Sequence, residues 1–376
     1  MWGRGGGGLK YSEFMGNLRR GLRHVYLLAG AEHYYIDRAR EAILERLFPD
    51  GVRADEIQKV GDLPPAQLAG LIETVPFFTD KNVILVQESS LFRASKGTAE
   101  EKKDSEEPAA KKGRRRKKSP EAAALERLTG LLQEMPADSY VIFVSKEKPD
   151  KRKKLVKLIE KVGAVLEAEP LRPWQVGDWL EERFRALGKS FDREAYEYFM
   201  SAVSMMQEVS LSYLDQELTK LALVVRGRRI SRQDLLSVFA GLPEVSVFAL
   251  ADAVSEQNAG RALALLRREL ADGTYFTVIL SLLARHVRQL FEARLLMAEG
   301  VRGRALAKPL ELNPFIAEKL GRAAQKFTDA QLRQALLELA DADYLLKTGQ
   351  GGNELLEEIV IGLCQRRGRG YSAGGR

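Results

Sequence analysis

Through the first 170 residues, short apolar runs alternate with stretches in which apolar residues recur every three or four positions. This is the pattern of strands covered on both faces and separated by amphipathic helices. The runs predict strands at Val25 to Ala29, Glu56 to Val60, Val83 to Val86, Tyr140 to Ser145 and Val165 to Ala168. Between them the spacing predicts helices at Tyr34 to Phe48, Pro65 to Thr74, Ala122 to Glu134 and Lys151 to Val162. Strict alternation of strand and helix predicts a five-stranded parallel α/β domain. After Leu171-Arg172-Pro173 the strand patterns stop and nearly everything reads as helix. One helical group runs from Trp174 to Phe239, with Asp192 and Ser231 as expected N-caps. Gly241-Leu242-Pro243 then punctuates the chain, and longer amphipathic segments follow to the C-terminus, including Phe276 to Met297. The expected organisation is α/β plus all-α in three domains: an α/β domain over 1–171, a small helical domain over 172–241 and a larger helical domain over 242–376.

One segment interrupts this pattern. Arg93 to Pro120 contains no aromatic residue and no apolar side chain larger than alanine, and it carries 11 Lys/Arg against 5 Asp/Glu. Such a stretch buries too little apolar surface to offset its ordering entropy, so a disordered basic insert is expected. Its location changes the meaning of the net charge of +7. The insert and the two basic ends hold more than the whole excess, which leaves the body of the chain net acidic. A net acidic body does not provide the single-sign field of a protein that grips DNA unaided, so nucleic-acid contact is expected to be local or shared with partners. The longest apolar run, near Tyr275 to Ala284, is about half the roughly 20 residues a membrane span needs. No apolar export signal precedes the first strand, so no membrane is expected as a partner and a cytoplasmic location is expected. Cys364 is the single cysteine; it excludes an internal disulfide and reads as a small buried hydrophobe.

A parallel sheet followed by a small helical domain directs attention to the turn after the first strand, where a phosphate loop would lie. A working loop reads G-x-x-x-x-G-K-[ST], because small residues let backbone N–H groups approach phosphate, lysine neutralises it and the hydroxyl holds Mg²⁺. Counting from Gly30, the second glycine is replaced by Tyr35, the lysine by Ile36 and the hydroxyl by Asp37. Tyrosine is expected to obstruct backbone approach, isoleucine removes the charge, and Glu32 with Asp37 sets negative charge beside a polyanion. The third strand ends in Gln87-Glu88 rather than the Asp-Glu pair that positions Mg²⁺ and water. His24, His33 and His286 lack metal-ligand spacing, so neither a metal nor another cofactor is expected. The bare sequence leaves open an active ATPase and a stand-alone nucleic-acid-binding protein as weaker alternatives.

Four segments taken together carry a resemblance. Val25-Tyr-Leu-Leu-Ala-Gly-Ala-Glu, Val75-Pro-Phe-Phe-Thr-Asp-Lys-Asn-Val-Ile-Leu-Val, Asp150-Lys-Arg-Lys-Lys-Leu-Val-Lys and Leu214-Asp-Gln-Glu-Leu-Thr-Lys-Leu resemble the delta subunit of the bacterial DNA polymerase III clamp loader. Glu244-Val-Ser-Val-Phe-Ala-Leu-Ala-Asp-Ala and Leu339-Ala-Asp-Ala-Asp-Tyr-Leu-Leu-Lys extend the resemblance towards residue 365; the basic insert is a departure from it. The resemblance implies an AAA+-like α/β domain without ATPase activity, a helical lid and a helical collar that mediates oligomerisation. It implies a chain that is not itself an enzyme, within a holoenzyme that is a DNA-directed DNA polymerase. The implied partners are the sliding clamp, the ATPase and delta-prime subunits of the loader, and DNA within the assembly. It further implies that hydrophobic residues after the second helix contact the clamp and open one ring interface; here these are Phe77 and Phe78, introduced by Pro76. Two adjacent aromatics in an extended turn cannot both face one core, so at least one is expected to point outward.

Overall fold

The computed structural model describes residues 8–53, 56–74, 79–93, 120–206, 208–239 and 243–365. The chain divides into two compact units between Pro170 and Leu171. In the first, strands β1 (Val25–Gly30), β2 (Ile57–Val60), β3 (Asn82–Gln87), β4 (Ser139–Ser145) and β5 (Ala164–Ala168) form one parallel sheet. Its order is β2-β3-β4-β1-β5. The first strand is therefore interior, with Tyr26 opposite Ile142 on one side and Ala164 on the other. Helices α1 (Tyr11–Arg20), α2 (His33–Leu47), α3 (Pro65–Glu73), α4 (Pro120–Gln133) and α5 (Lys154–Val162) cover both faces. The strand pleat divides the core. Val25, Leu27, Ile84, Val86, Val141 and Phe143 pack with Leu68 and Ile72 of α3, Leu128 and Leu132 of α4 and Ile159 of α5. Tyr26 turns to the other face, where Phe14 of α1 meets it edge-on at 6.1 Å beside buried residues of α2.

Three features differ from the pattern reading. Helix α1 was not expected; it is short and contains Gly16, yet it buries Phe14 and Leu18. Helix α5 begins at Lys154 rather than Lys151, because Asp150 accepts from the Arg152 N–H at 3.0 Å and from its guanidinium at 2.9 Å, which holds the preceding residues in a turn. In the sequence Gly5 to Gly8 read as a floppy tail outside any strand-helix context; Gly5 to Gly7 lie outside the described residues, while Leu9, just after the run, pairs along the edge of β5. Its N–H donates to the Val165 carbonyl at 2.8 Å, and its carbonyl accepts from Glu167 at 3.0 Å.

The second unit is helical: α6 (Val176–Leu187), α7 (Arg193–Ser204), α8 (Leu211–Val224), α9 (Arg232–Phe239), α10 (Pro243–Ser255), α11 (Ala259–Ala271), α12 (Phe276–Ala298), α13 (Pro314–Ala324), α14 (Asp329–Lys347) and α15 (Glu354–Cys364). Strands do not stop altogether, however. Two-residue strands β6 (Ser190–Phe191) and β7 (Arg229–Ile230) pair in parallel, too short to register as a period-two pattern. Both expected N-caps form: Asp192 accepts from the Ala195 N–H at 2.7 Å, and Ser231 and Asp234 exchange side-chain and backbone bonds at 2.9 and 3.2 Å. Phe184, Phe191, Phe199 and Phe239 form a chain of ring contacts inside the first helical group. Helix α12 is the longest described element, at 23 residues, and packs against α10, α13 and α14. Cys364 is buried, which pushes its thiol up to about 11. No helix among the described residues is long and apolar enough to cross a membrane. The punctuation at Gly241-Leu242 and the basic tail after Gln365 lie outside the described residues.

Candidate functional site

Two places single themselves out chemically, at opposite ends of the sheet. The turn from β1 to α2 lies where the strands end, and the connection from α3 to β3 lies where they begin. At the first, Gly30 has φ +137°, and a Cβ there would stand 2.1 Å from the Ala168 carbonyl oxygen of β5. Glycine is thus required by strand packing, whatever the turn binds. The Glu32 N–H donates to that same carbonyl at 3.0 Å. Glu32 then caps α2, its carboxylate accepting from the Tyr34 N–H at 3.1 Å while only 7% exposed. Helix N-termini of this kind hold anions; here the anion is a side chain of the protein. Burial raises the carboxyl pKa, opposed by the Tyr34 bond.

The three residues at the loop's signature positions are used in other ways. Tyr35 is buried, and its ring stacks on Tyr11 of α1 at 4.2 Å, which gives it a packing role between helices. Ile36 is 3% exposed in the core. Asp37 faces outward and pairs with Arg40 at 2.9 Å. Beyond β3, Glu88 has φ +56° and pairs with Lys146, whose hydrogen bond holds the carboxyl below its ordinary pKa. The histidines do not converge: His24 Nδ1 lies 3.0 Å from the Ser139 carbonyl with its ring stacked on Tyr140, and His286 is buried against the Ser255 hydroxyl at 2.6 Å in the helical unit.

At the second place, Pro76, Phe77 and Phe78 lie outside the described residues, as do residues 94–119 of the basic insert. The chain on either side of the aromatic pair is described, and it is pinned. Asn82, at the first position of β3, is 1% exposed. Its amide donates to the carbonyls of Leu71 at 3.0 Å and Thr74 at 3.1 Å, and its oxygen accepts from Gln58 at 3.0 Å. The last carbonyls of a helix otherwise lack partners, so one side chain closes the end of α3 and ties it to the strand that follows. Lys81 donates to the Leu47 carbonyl at the end of α2, at 2.7 Å, and lies over the Phe48 ring at 5.5 Å. Thr79 donates to the Lys81 carbonyl at 3.0 Å. Sequence reading did not single out Asn82 or Lys81; the available signal was an asparagine directly abutting a run of apolar strand residues.

Comparison with known proteins agrees with this architecture in both units. Residues 26–169 match the family model described as DNA polymerase III, delta subunit, and residues 244–363 match that of the DNA polymerase III delta subunit, C-terminal domain. The DNA polymerase III subunit delta of Bacillus subtilis (strain 168) is 25% identical over 350 residues, spanning 92% of this chain and 94% of that one. Among solved structures, a Bacillus subtilis DNA clamp loader delta protein is similar with a TM-score of 0.56 at 20% identity, over 95% of this chain and 100% of that one. At that identity the structural likeness speaks for the fold, an AAA+-like α/β domain with helical domains after it. With two family models falling in order on the two units, the chain belongs to the DNA polymerase III delta subunit family.

Proposed function

We propose that this chain is the clamp-opening subunit of its loader, and that it works by binding rather than by hydrolysis. The observation that carries the reading is the anchoring around the segment that holds Phe77 and Phe78. Asn82 fixes the end of α3 and Lys81 fixes the approach to β3, so the intervening residues spring from a braced base. A braced base lowers the ordering cost of an interface anchor, and each aromatic ring that enters a pocket buries roughly 150–250 Å². The two rings enter a hydrophobic pocket on one clamp protomer. Opening follows if the surrounding surface fits the open ring better than the closed one, since a ligand that binds both states equally shifts nothing.

The α2 terminus supports the second half of the proposal. Glu32 occupies the amide end of the helix, Ile36 stands in the core where a loop lysine would reach out, and Lys146 stands beside Glu88. Gly30, Tyr35, Ile36 and Asp37 form a phosphate loop that no longer holds nucleotide, and ATP is handled by partner subunits. Residues 172–241 act as the lid and residues 242–376 as the collar through which the chain meets the ATPase and delta-prime subunits, with DNA encountered in the cytoplasmic assembly. The test is clamp binding and unloading by the Phe77→Ala/Phe78→Ala variant. Loss of both with an unchanged fold is expected, and parent-like binding and unloading would show that the pair is not the wedge. ATP binding by the isolated chain would overturn the assignment of its loop.

A further inference from the structure

Helix α8 ends in a knuckle that the proposed function does not use. Its last turn exposes two neighbouring aliphatic side chains, Leu223 at 81% and Val224 at 66%. The next residues present Arg226, Arg228 and Arg229, all exposed, and none pairs with a carboxylate among the described residues. The two acids of α8 are occupied elsewhere: Asp215 pairs with Arg183, and Glu217 with Lys220.

The loop that carries these arginines is constructed rather than slack. Lys189 donates its ammonium to the carbonyls of Val225 and Gly227, the latter at 2.8 Å. The Ser190 N–H donates to the Arg228 carbonyl at 2.9 Å, and Ile230 is buried beneath the β6–β7 pair. A lysine bonded to backbone carbonyls fixes the loop that carries the three arginines, directly after the two exposed aliphatics that end α8. The three like charges repel one another and the two aliphatic side chains face water, with no compensating ion pair to a carboxylate among the described residues.

We infer that the α8–β7 knuckle is a docking site for an acidic, apolar-flanked segment of a partner protein. The forked guanidinium matches a carboxylate as well as a phosphate. The apolar half decides between them: Leu223 and Val224 gain by covering against apolar side chains and gain little against a hydrated phosphate backbone. No aromatic residue lies between Leu223 and Arg229 to stack a base, as a single-stranded nucleic-acid platform would need. The inference rests on the reading of the chain as one subunit of a loader.

The experiment places a photoreactive p-benzoylphenylalanine at Leu223 of the full chain and assembles it with the sliding clamp and loader subunits of the same organism, with primed DNA present. The expected product is a crosslink to a protein chain that maps within an acidic stretch. The triple variant Arg226→Glu, Arg228→Glu, Arg229→Glu is expected to lower it about tenfold, as is about 0.5 M salt. Crosslinking to DNA, crosslinking to protein outside an acidic stretch, or a yield no higher than that of the same probe at exposed Ser212 overturns the inference. The conservative triple Arg→Gln variant separates loss of charge from misfolding: intermediate loss is expected, and full retention also overturns the inference. Clamp binding measured in the same preparations distinguishes failure here from failure of the clamp-opening reading, since this site predicts crosslinking even with Phe77→Ala/Phe78→Ala.

Discussion

Replacing Asn82 with leucine keeps the branched outline and heavy-atom count of the side chain and removes every polar contact that Asn82 makes at the base of the aromatic segment. The amide makes three hydrogen bonds of 3.0–3.1 Å, to Leu71, to Thr74 and from Gln58, in a site 1% exposed. A fourth approach, to the Ile72 carbonyl at 3.5 Å, adds little. With a net contribution of about 1 kcal/mol for each bond, and partial recovery of water by half-exposed Gln58, the loss is about 2–3 kcal/mol. Helix α3 frays first, because its terminal carbonyls have lost their partner. Hydrogen exchange read by mass spectrometry suits the question, since it follows α3 and β3 separately from the rest of the chain. Amides of α3 and β3 are expected to exchange about 30- to 150-fold faster, the equivalent of that free energy, with α12 unchanged as an internal reference. Clamp affinity should fall in parallel although both aromatics remain. Acceleration below about twofold, near 0.5 kcal/mol, would refute the claim that the amide bonds brace this end of the sheet.

Other substitutions probe the remaining features. Ile36→Lys, which restores the residue type of a phosphate loop, is expected to cost about 3 kcal/mol or more in a denaturant titration and to confer no ATP binding, because it drives an ammonium into the core. Burial pushes His286 down to about 4 from an ordinary 6.5. The unfolded chain therefore takes up the proton first, and stability of the helical unit is lost as pH falls through that window, by up to about 3 kcal/mol. Thermal melts of His286→Gln, which keeps a partner for Ser255, should fall less steeply between about pH 6.5 and 4. Deleting residues 96–118 is expected to weaken salt-sensitive DNA affinity while clamp binding, measured on the same protein, is retained.

The sheet was legible because its strands are buried on both faces: Val25–Gly30 has no exposed position, so the apolar run stands out against any helix period. Every predicted strand of the first half lies within two residues of its observed bounds. What escaped the pattern is instructive. Strands of two residues have no period, so β6 and β7 could be found only through tertiary pairing. Helix α1 carries too few apolar residues to declare itself, and its burial depends on Tyr35, from a separate helix. His286 lies between Arg285 and Arg288 along the chain, yet it occupies the same face of α12 as buried Ile279, Leu282, Leu283, Leu290 and Ala293. At the candidate sites, residue identities revealed what a nucleotide would lack. They did not reveal what had taken its place, because the bond from Tyr34 to Glu32 and the bonds made by Asn82 are facts of geometry.

The carboxylate at the head of α2 bears on how such a subunit changes over evolutionary time. If an ancestral loop held nucleotide, a lineage in which only the lysine had been lost could recover by one codon change. In this chain a lysine at 36 would enter the core, Tyr35 is committed to Tyr11, and Glu32 would repel the returning phosphate. Each backward step is penalised until the others have been taken. Under the proposed function, the internal cap acts as a ratchet: it makes dependence on partner ATPases hard to reverse, and it frees this end of the sheet to drift without recreating a competing hydrolase inside the assembly.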